Sequence, residues 1–396
     1  MYIGIRIGQE VEAQALTMAS HVASLRGWHP ALARAEIAAL LPQAELLRLE
    51  SRRLVQLNGE ISIEQMQAAV DCSSGCQALL WDAIVWKHEE DSTVFYQHIR
   101  AYLKAYPRTG SVAVRSMKHE GKMAGASSRE YARTIGGILS SHGYPIDLES
   151  PEHRLGVVYD ASAGMIACGW MIGSGEDSDG IVGRRATDRP FFKPVSLDPR
   201  LARLAVNLAS GPRDAGATLD LMTGTGGFVI EAALSHRETY GVDLEPLMIE
   251  GAQRNLDWAM PASEAKLLLG DATKLPDVIP KNAHQRIAGF VLDPPYGRNS
   301  QGSLDHAELI EAVLLSSRKV ASEKAGLVLI LPMHPFGEFP DESLKENAEF
   351  DLLHGEWSEI EDTFAKTGWR INNRWVEHVH ASLGRLILHA AIVPQD

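Results

Sequence analysis

The pattern of hydrophobic and polar positions changes near the middle of this 396-residue chain. After Ala217, short apolar runs alternate with amphipathic stretches of helical period, which is typical of repeated βα units. The expected strands are Thr218–Met222, Thr239–Leu244, Lys266–Ala272, Ile287–Leu292 and Gly326–Pro332, and the expected helices are Phe228–His236, Pro246–Leu256 and Leu304–Ala321. Such repeats predict a mostly parallel sheet with helices on both faces. Two further strand-like runs, Arg374–His380 and Gly384–Ile392, predict an antiparallel hairpin at its edge, giving seven strands.

The first half of the chain mixes strands and helices without that regular order. Met1–Ile7 and Ser111–Arg115 alternate like strands, and Pro30–Leu41 has helical spacing. Ser127 and Glu130 form a capping-box pattern that opens an amphipathic helix. Two more runs look like paired strands, Leu155–Tyr159 and Gly164–Ile172. We therefore expect an α+β region, followed by a linker rich in glycine and acidic residues and by the α/β domain.

Composition places the chain among ordinary globular proteins, with 45% hydrophobic and 22% charged residues. No apolar run approaches the roughly 18 residues of a membrane span, and the N-terminus lacks the pattern of a signal peptide. Cys72, Cys76 and Cys168 are too few for a disulfide framework, so a reducing, cytoplasmic setting is expected. Cys72 and Cys76 have no histidine-rich partner nearby, so no metal site is expected.

The formal net charge of −13 argues against a nucleic-acid partner, since phosphate attracts lysine and arginine. The charge is unevenly spread, however, because the window 95–145 holds eight basic and two acidic residues. A second basic cluster lies between Arg184 and Lys193. This asymmetry indicates a directed electrostatic site, with a solvated helix face as the alternative. The candidate residues for binding an anionic partner are Arg115, Lys118, Lys122, Arg129, Arg133, Arg184, Arg185, Arg189, Lys193 and Arg298.

The first chemical motif is Asp220-Leu-Met-Thr-Gly-Thr-Gly-Gly227, where a predicted strand meets a helix. Glycines permit a tight turn and close approach of a ligand, and a helix start favours an anionic group. The dinucleotide fingerprint fails because Val229 stands where its third glycine belongs, and no Walker pattern follows. A purely structural turn is the alternative. The cofactor-binding candidates here are Asp220, Thr223, Gly224, Thr225, Gly226 and Gly227.

Two further acids follow the next two strands. Asp243, with Leu244 beside it, is a candidate acceptor for ribose hydroxyls, and a helix cap is the alternative. Asp271, followed by Ala272, could accept the exocyclic amine of adenine, or could simply stabilise a turn.

The fourth motif, Asp293-Pro-Pro-Tyr-Gly-Arg298, follows an apolar strand. Its two prolines stiffen the turn and remove two N–H donors. A carboxylate, a free carbonyl and an aromatic ring on a rigid strand end suit the binding of an exocyclic amine on a flat base. The catalytic candidates are therefore Asp293, Pro294, Pro295 and Tyr296.

These motifs follow one another on successive predicted strands. In that order they resemble the motifs of Rossmann-like S-adenosylmethionine (SAM) methyltransferases that act on amino nitrogens. The chain most resembles the archaeal and eukaryotic tRNA guanine-10 N2-methyltransferases, which carry Asp-Pro-Pro-Tyr-Gly. The segments 189–207 and 378–385 are similar to the beginning and end of that family's catalytic domain. Family members usually read Asp-Pro-Phe-Cys-Gly-Thr-Gly-Gly, whereas this chain has Leu221, Met222 and Thr223 in the middle. The glycines are kept, so the cofactor expectation stands.

The resemblance implies four parts: a ferredoxin-like unit (1–60), a THUMP RNA-binding domain (61–174), a linker (175–195) and a Rossmann-like methyltransferase domain (196–396). It implies SAM as cofactor, tRNA as partner and methylation of guanosine N2. We also expect a monomer in the cytoplasm that binds no membrane, and the need for a small zinc-binding activator protein stays open. The alternatives are a DNA adenine-N6 or rRNA amino-group methyltransferase with the same chemistry, and an inactive tRNA-binding protein.

Overall fold

A computed structural model describes residues 20–87, 92–121, 127–173, 180–194, 196–294, 306–335 and 341–394. The expected strand Met1–Ile7 lies outside them. The chain divides into two compact units. The first takes its described residues from Met1–Pro30, Gln43–Asp71 and Cys76–Ser178, and the second takes its own from Ala31–Pro42, Cys72–Gly75 and Asp179–Asp396. The second unit is therefore discontinuous in sequence.

The described residues form fourteen strands and ten α-helices. The strands are β1 (Ser20–Leu25), β2 (Glu45–Arg48), β3 (Leu54–Asn58), β4 (Cys76–Lys87), β5 (Val112–Lys118), β6 (His153–Asp160), β7 (Met165–Ile172), β8 (Ala217–Asp220), β9 (Thr239–Asp243), β10 (Lys266–Leu269), β11 (Ile287–Leu292), β12 (Ala321–Met333), β13 (Trp369–His380) and β14 (Leu383–Ile392). The helices are α1 (Pro30–Leu40), α2 (Ile63–Cys72), α3 (Ser92–Ala105), α4 (Ser128–Ser141), α5 (Pro199–Ser210), α6 (Gly227–Leu234), α7 (Pro246–Ala259), α8 (Leu275–Val278), α9 (His306–Val320) and α10 (Trp357–Thr367). No described helix is long and apolar enough to cross a membrane.

The first unit contains a seven-stranded sheet in the order β2-β3-β1-β4-β7-β6-β5. Its neighbouring strands are antiparallel except β5 and β6, which are parallel. The apolar residues at helical spacing in α4 are buried, as the sequence predicts, and the Ser127 hydroxyl accepts the Glu130 N–H at 3.4 Å at its start. Together with α3, these apolar residues pack against β6 and β7 and form one of the hydrophobic clusters of this unit.

The second unit contains a seven-stranded sheet in the order β10-β9-β8-β11-β12-β14-β13. Strands β8 to β12 are parallel, and β14 is antiparallel to both β12 and β13, so the predicted parallel sheet with a terminal hairpin is confirmed. The strand order reverses between β8 and β11. At such a point, helices leave on opposite faces and open a crevice at the carboxyl ends of the strands. The four motifs of the sequence end at this side of the sheet.

Strand β13 begins at Trp369, five residues before the predicted start at Arg374. An irregularity in the pairing between Ile371 and Asn373 interrupts the alternation of apolar and polar residues that the sequence pattern relies on. The buried Trp369 indole N–H donates to the Leu314 carbonyl at 3.2 Å, which ties the early part of the strand to α9.

Helix α5 packs very closely on the central strands of this sheet. The Asp198 side chain caps it by accepting the Arg200 N–H at 2.8 Å, and Pro199 is its first residue. A Cβ atom at Gly289 would collide with Ser210, so glycine is required where the helix crosses β11. This packing fixes the central strands of the sheet closely against their helix layer.

The second unit also includes α1, apart from its first residue, and the short segment 72–75. The buried Glu36 carboxylate of α1 accepts hydrogen bonds from the Ser73 hydroxyl at 2.5 Å and the Gly75 N–H at 2.7 Å. It also accepts one from the Asn207 side chain of α5 at 2.7 Å. Through these hydrogen bonds, the buried Glu36 carboxylate joins α1, the segment 72–75 and α5, which are distant in sequence.

Candidate active site

The glycine loop leaves β8 and opens α6 with two residues in left-handed conformations. Gly224 has φ +51° and Gly226 has φ +83°, values that side chains disfavour. A Cβ atom at Gly226 would lie 3.1 Å from the Ala252 side chain of α7, so the turn is also tightly packed. Gly226 provides no side-chain cap for α6. The backbone N–H groups at the helix start are therefore available to an anionic ligand.

Asp243 braces this loop from the end of β9. Its Oδ2 accepts the Gly224 N–H at 2.7 Å, and its Oδ1 accepts the Glu245 N–H at 2.9 Å. It therefore supports the start of α7, as the helix-cap alternative suggests, and it also fixes the glycine loop. The neighbouring Leu244 side chain is 61% exposed. An apolar surface thus lies beside a carboxylate that still has acceptor capacity.

Asp220, at the end of β8, is buried with a carboxylate that lacks hydrogen-bond partners among the described residues. Burial raises its pKa well above the usual value, and the Asp243 and Asp293 carboxylates add to the effect. The Met222 N–H and the Thr223 hydroxyl oppose this rise in the pKa of Asp220. The Thr223 hydroxyl is itself buried without a well-formed hydrogen bond to a described residue. A cationic donor bound here would satisfy Asp220.

Asp271 follows β10 and is largely committed to its own turn. Its Oδ1 accepts both the backbone N–H and the hydroxyl of Thr273, at 2.9 and 2.7 Å. Lys274 lies 3.3 Å from Oδ2. Although burial acts to raise it, these contacts hold the pKa of Asp271 below its usual value. The geometry agrees with the turn alternative, and the buried Ala272 follows in the same turn.

Asp293 and Pro294 continue β11 at the same edge of the sheet. Val291 pairs in parallel register with Asp220, which places Asp293 just beyond the carboxyl end of β8. The Asp293 side chain is half-buried and Pro294 is buried. The remaining candidates of this motif, Pro295, Tyr296 and Arg298, lie outside the described residues.

A segment before α5 lies against the glycine loop through contacts that no sequence pattern predicts. The Asn255 side chain bonds the Phe191 N–H and carbonyl, both at 2.7 Å, and the Thr225 carbonyl at 2.9 Å. The Ser196 and Thr225 hydroxyls lie 3.1 Å apart. Asn255 sits on α7, so no local pattern could have identified it. These contacts hold the loop at Thr225, whereas Asp243 holds it at Gly224.

The basic cluster before α5 does not form one exposed surface. Arg184 is buried and binds Glu231 of α6 through two nitrogens, at 3.0 and 3.1 Å. Arg189 is 4% exposed. Both side chains are thus withdrawn from solvent, and we remove them from the candidate RNA-binding set. Arg185 is exposed and Lys193 half-exposed, so these two remain candidates.

Glu231 and its second partner, Arg203, were not recognised from the sequence. Arg203 of α5 is fully buried and binds the Glu231 carboxylate at 2.9 Å. The available signal was a single glutamate in the otherwise apolar helix α6. A lone acid in such a helix indicates a buried ion pair, because an unpaired buried charge is costly.

The basic residues of the first unit are placed on two elements. Arg129 and Arg133 are exposed one turn apart on α4. Arg115 and Lys118 lie on β5, where a separation of three residues puts them on opposite faces of the sheet. Lys122 lies outside the described residues. The structure thus pairs Arg129 with Arg133 but does not bring the whole set together.

A cavity of about 790 Å³ opens at the other end of the second sheet, near the starts of β9 and β10. None of the candidate site residues lines it. Ligands of open α/β sheets bind at the carboxyl ends of the strands, so we assign the active site to the motif side. The described residues contain no cluster of histidine, cysteine, aspartate or glutamate suited to a metal ion.

Comparison with known proteins adds to this geometry. Residues 186–336 match the family described as UPF0020, RMKL-like, methyltransferase domain. The chain is 31% identical over 253 residues to a tRNA (guanine(10)-N2)-dimethyltransferase of Pyrococcus abyssi, covering 64% of this chain and 66% of that protein. A protein of the same name from Methanothermobacter thermautotrophicus is 30% identical over 225 residues, covering 57% and 63%. The matches thus span slightly less than two thirds of either relative.

Among solved structures, TrmN from Thermus thermophilus is similar with a TM-score of 0.45 and 17% identity, covering 94% of this chain and all of that one. The family match confirms the expected methyltransferase domain. The sequence resemblance to tRNA guanine-N2 methyltransferases is confirmed by the two relatives of that name, and residues 186–336 are similar to the UPF0020 methyltransferase domain.

Proposed function

We propose that this chain transfers one or two methyl groups from SAM to the exocyclic N2 of guanosine 10 in tRNA. The observation that carries the proposal is the placement of Asp220, Asp243 and Asp293 after three neighbouring parallel strands. In the proposed enzyme, this arrangement would bring a cofactor site and an amine-binding motif together at one sheet edge. The relatives named tRNA (guanine(10)-N2)-dimethyltransferases support the choice of substrate.

The residues around the glycine loop fit SAM. Asp220 offers a buried carboxylate without a described partner, which suits the α-ammonium group of the cofactor. Asp243 uses one lone pair of each oxygen for a backbone N–H, so two acceptor sites remain for the ribose hydroxyls. The exposed Leu244 side chain suits a face of the adenine ring, and Asp271 and Ala272 border the same region.

Asp293 and the Pro294 carbonyl would accept the two N–H groups of the guanine amine. This amine is a poor nucleophile because its lone pair is delocalised into the ring. Two acceptors favour a tetrahedral nitrogen and free the lone pair, with positioning as the main catalytic effect. Pro295 would stiffen the turn and Tyr296 would stack on the base. SAM supplies the methyl group when bound.

The first unit would act as the THUMP-type RNA-binding part and place the tRNA. Phosphate contacts position a nucleic acid without performing chemistry on it. Because the target nitrogen lies in a paired region, the nucleotide would be extruded into the site. The basic residues proposed for this role are Arg115, Lys118, Lys122, Arg129, Arg133, Arg185, Lys193 and Arg298.

The setting of the reaction is also part of the proposal. The chain would work as a monomer in the cytoplasm, away from membranes. Methylation would be measured with the chain alone and with a small zinc-binding activator protein added. Comparing the two activities determines whether that partner is required.

The proposal is tested with purified chain, SAM and an unmodified tRNA transcript, followed by mass spectrometry of the nucleosides. We expect N2-methylguanosine or N2,N2-dimethylguanosine in the wild-type transcript. The matched control is a transcript with guanosine 10 replaced, which should stay unmodified.

Methylated adenine in a DNA substrate, with unmodified tRNA, would instead identify an adenine-N6 methyltransferase. Binding of tRNA without any binding of S-adenosylhomocysteine would identify an inactive RNA-binding protein. Calorimetry with S-adenosylhomocysteine separates that last outcome from a missing activator.

A further inference from the structure

Three buried arginine side chains lie near one carboxylate, that of Glu231 in the middle of α6. Arg184 and Arg203 both bind Glu231, which is itself fully buried. The third, Arg189, donates from Nε to the Arg184 carbonyl at 3.3 Å. Asp198 also attracts Arg189 but is exposed, so the buried part of the cluster holds more positive than negative charge. Such an imbalance is costly unless another anion is present.

The two terminal nitrogens of Arg189 are the donors of this cluster that lack an acceptor among the described residues. Both nitrogens are buried. The side chain as a whole is 4% exposed, and burial lowers the pKa of its guanidinium although Glu231 opposes the shift. A guanidinium presents its donors in a planar fork that matches a carboxylate or phosphate.

The position of this fork coincides with the uncapped start of a helix. One terminal nitrogen of Arg189 lies 3.4 Å from where a Cβ atom of Gly227 would be. Gly227 is the first residue of the eight-residue α6, and its N-cap Gly226 offers no side chain. A buried guanidinium and the free N–H groups of a helix start both favour a negative group.

We infer that Arg189 and the start of α6 bind the carboxylate at the amino-acid end of SAM. This inference rests on the proposed function and adds a specificity-determining residue to its cofactor site. The buried Asp220 carboxylate, at the beginning of the same loop, suits the ammonium group of that end. Asp220 lies at the beginning of the glycine loop and the Arg189 side chain lies beside its end at Gly227, so two buried groups of opposite charge type flank the loop and suit a zwitterionic amino acid.

The alternative occupant of such a site is a phosphate of the RNA. Burial favours the small carboxylate, because a guanidinium that is 4% exposed is out of reach of a phosphate on a folded nucleic acid. A bound SAM carboxylate and a bound RNA phosphate predict different losses of affinity when Arg189 is substituted. One set of measurements therefore separates them.

The first test changes the ligand and uses the wild-type chain. Calorimetry compares S-adenosylhomocysteine with its decarboxylated analogue, which keeps the adenosine, the sulfur and the amine. We expect the analogue to bind at least roughly tenfold more weakly, as is usual when a charge-assisted bidentate contact is lost. Equal affinities would overturn the inference.

The second test changes the protein. Arg189→Met and Arg189→Lys should both weaken S-adenosylhomocysteine, the lysine variant less, because it keeps the charge without the fork. Neither should alter affinity for the decarboxylated analogue. Arg254→Met, which removes an exposed guanidinium from α7, is the matched control and should leave both affinities unchanged. Equal losses for both ligands would overturn the inference, since they would indicate a purely structural arginine.

The third measurement is tRNA affinity in the absence of cofactor. We expect it to be the same in the wild type and in Arg189→Lys, whereas a loss would favour the phosphate and overturn the inference. Wild-type chain that binds no S-adenosylhomocysteine would contradict the proposed function itself. Wild-type chain that binds both ligands equally would contradict only the role of Arg189.

Discussion

The Oδ2 atom of Asp243 accepts the backbone N–H of Gly224 at 2.7 Å, which joins the end of one strand to the loop that follows its neighbour. The two residues lie 19 positions apart in sequence, and parallel pairing of β8 and β9 brings them together. A residue chosen as a ribose acceptor is thus also part of the framework that shapes the cofactor loop.

Replacing Asp243 with alanine should weaken SAM binding by about 1–3 kcal/mol, because hydroxyl groups and two backbone N–H groups lose their acceptor. Calorimetry measures the change, and methylation at saturating SAM should stay closer to normal. Asp257→Ala, an exposed acid on α7, is the matched control. Unchanged SAM affinity in the Asp243 variant would leave Asp243 with a structural role only.

Asp293→Ala should remove most of the turnover while leaving SAM and tRNA affinity largely intact. Its hydrogen bond to the target amine matters most as charge develops on the nitrogen. Asp293→Asn should be milder, because the amide still provides one acceptor. Single-turnover methylation with saturating SAM and tRNA measures the effect. Turnover equal to the wild type in the alanine variant would exclude this mechanism.

Arg129→Ala together with Arg133→Ala should weaken tRNA binding and flatten its salt dependence. Each lost phosphate contact should reduce the slope of log affinity against log salt by roughly 0.7–0.9. Lys281→Ala with Lys324→Ala removes two exposed charges from the second unit and serves as the control. SAM affinity should not change in either variant. Equal slopes for the Arg129 and Arg133 variant and the wild type would identify their helix face as a solvated surface.

His119 makes the stability of the chain depend on pH. Burial lowers its pKa to about 4, nearby Arg53 acts in the same direction, and Asp160 opposes them. The folded state keeps the ring neutral while the unfolded state takes up a proton below about pH 6.5. The contribution of His119 to the free energy of unfolding is therefore fully present above about pH 6.5. It decreases by on the order of 3 kcal/mol as the pH drops toward 4.

Urea unfolding at several pH values measures this decline. His119→Gln should reduce the decline between pH 6.5 and 4, whatever its effect at pH 7.5, while the exposed His354→Gln should leave it unchanged. A decline of equal size in His119→Gln would assign the pH dependence to other groups.

The catalytic half of the fold was well predicted because its signals are local. A buried strand followed by Asp220, Asp243 or Asp293 is readable from neighbouring residues, and the order of such units fixes the parallel sheet. Asp271 shows the limit of this approach. Its sequence allowed a ligand role, but Thr273, two positions later, takes up much of its acceptor capacity.

Arg184 and Arg189 show a second limit. A charge count over a window treats every arginine as exposed, and both side chains are buried. The acid that binds Arg184 lies 47 residues later in sequence. Likewise, the apolar face of α1 predicted burial without indicating its partner. Contacts of this kind depend on tertiary packing, which a single sequence does not encode in any short pattern.

The hydrogen bond between Glu36 and Asn207 spans 171 residues. During synthesis at about 5–20 residues per second, Glu36 leaves the ribosome roughly 10–30 s before Asn207 does. During that interval, the Glu36 carboxylate of helix α1 lacks the Asn207 amide that completes its set of hydrogen-bond donors. The second unit therefore cannot finish folding before the first has been synthesised, although most of its own sequence comes later. A fragment that starts at Asp179 should accordingly fold poorly alone and recover when a peptide covering residues 31–75 is supplied in trans.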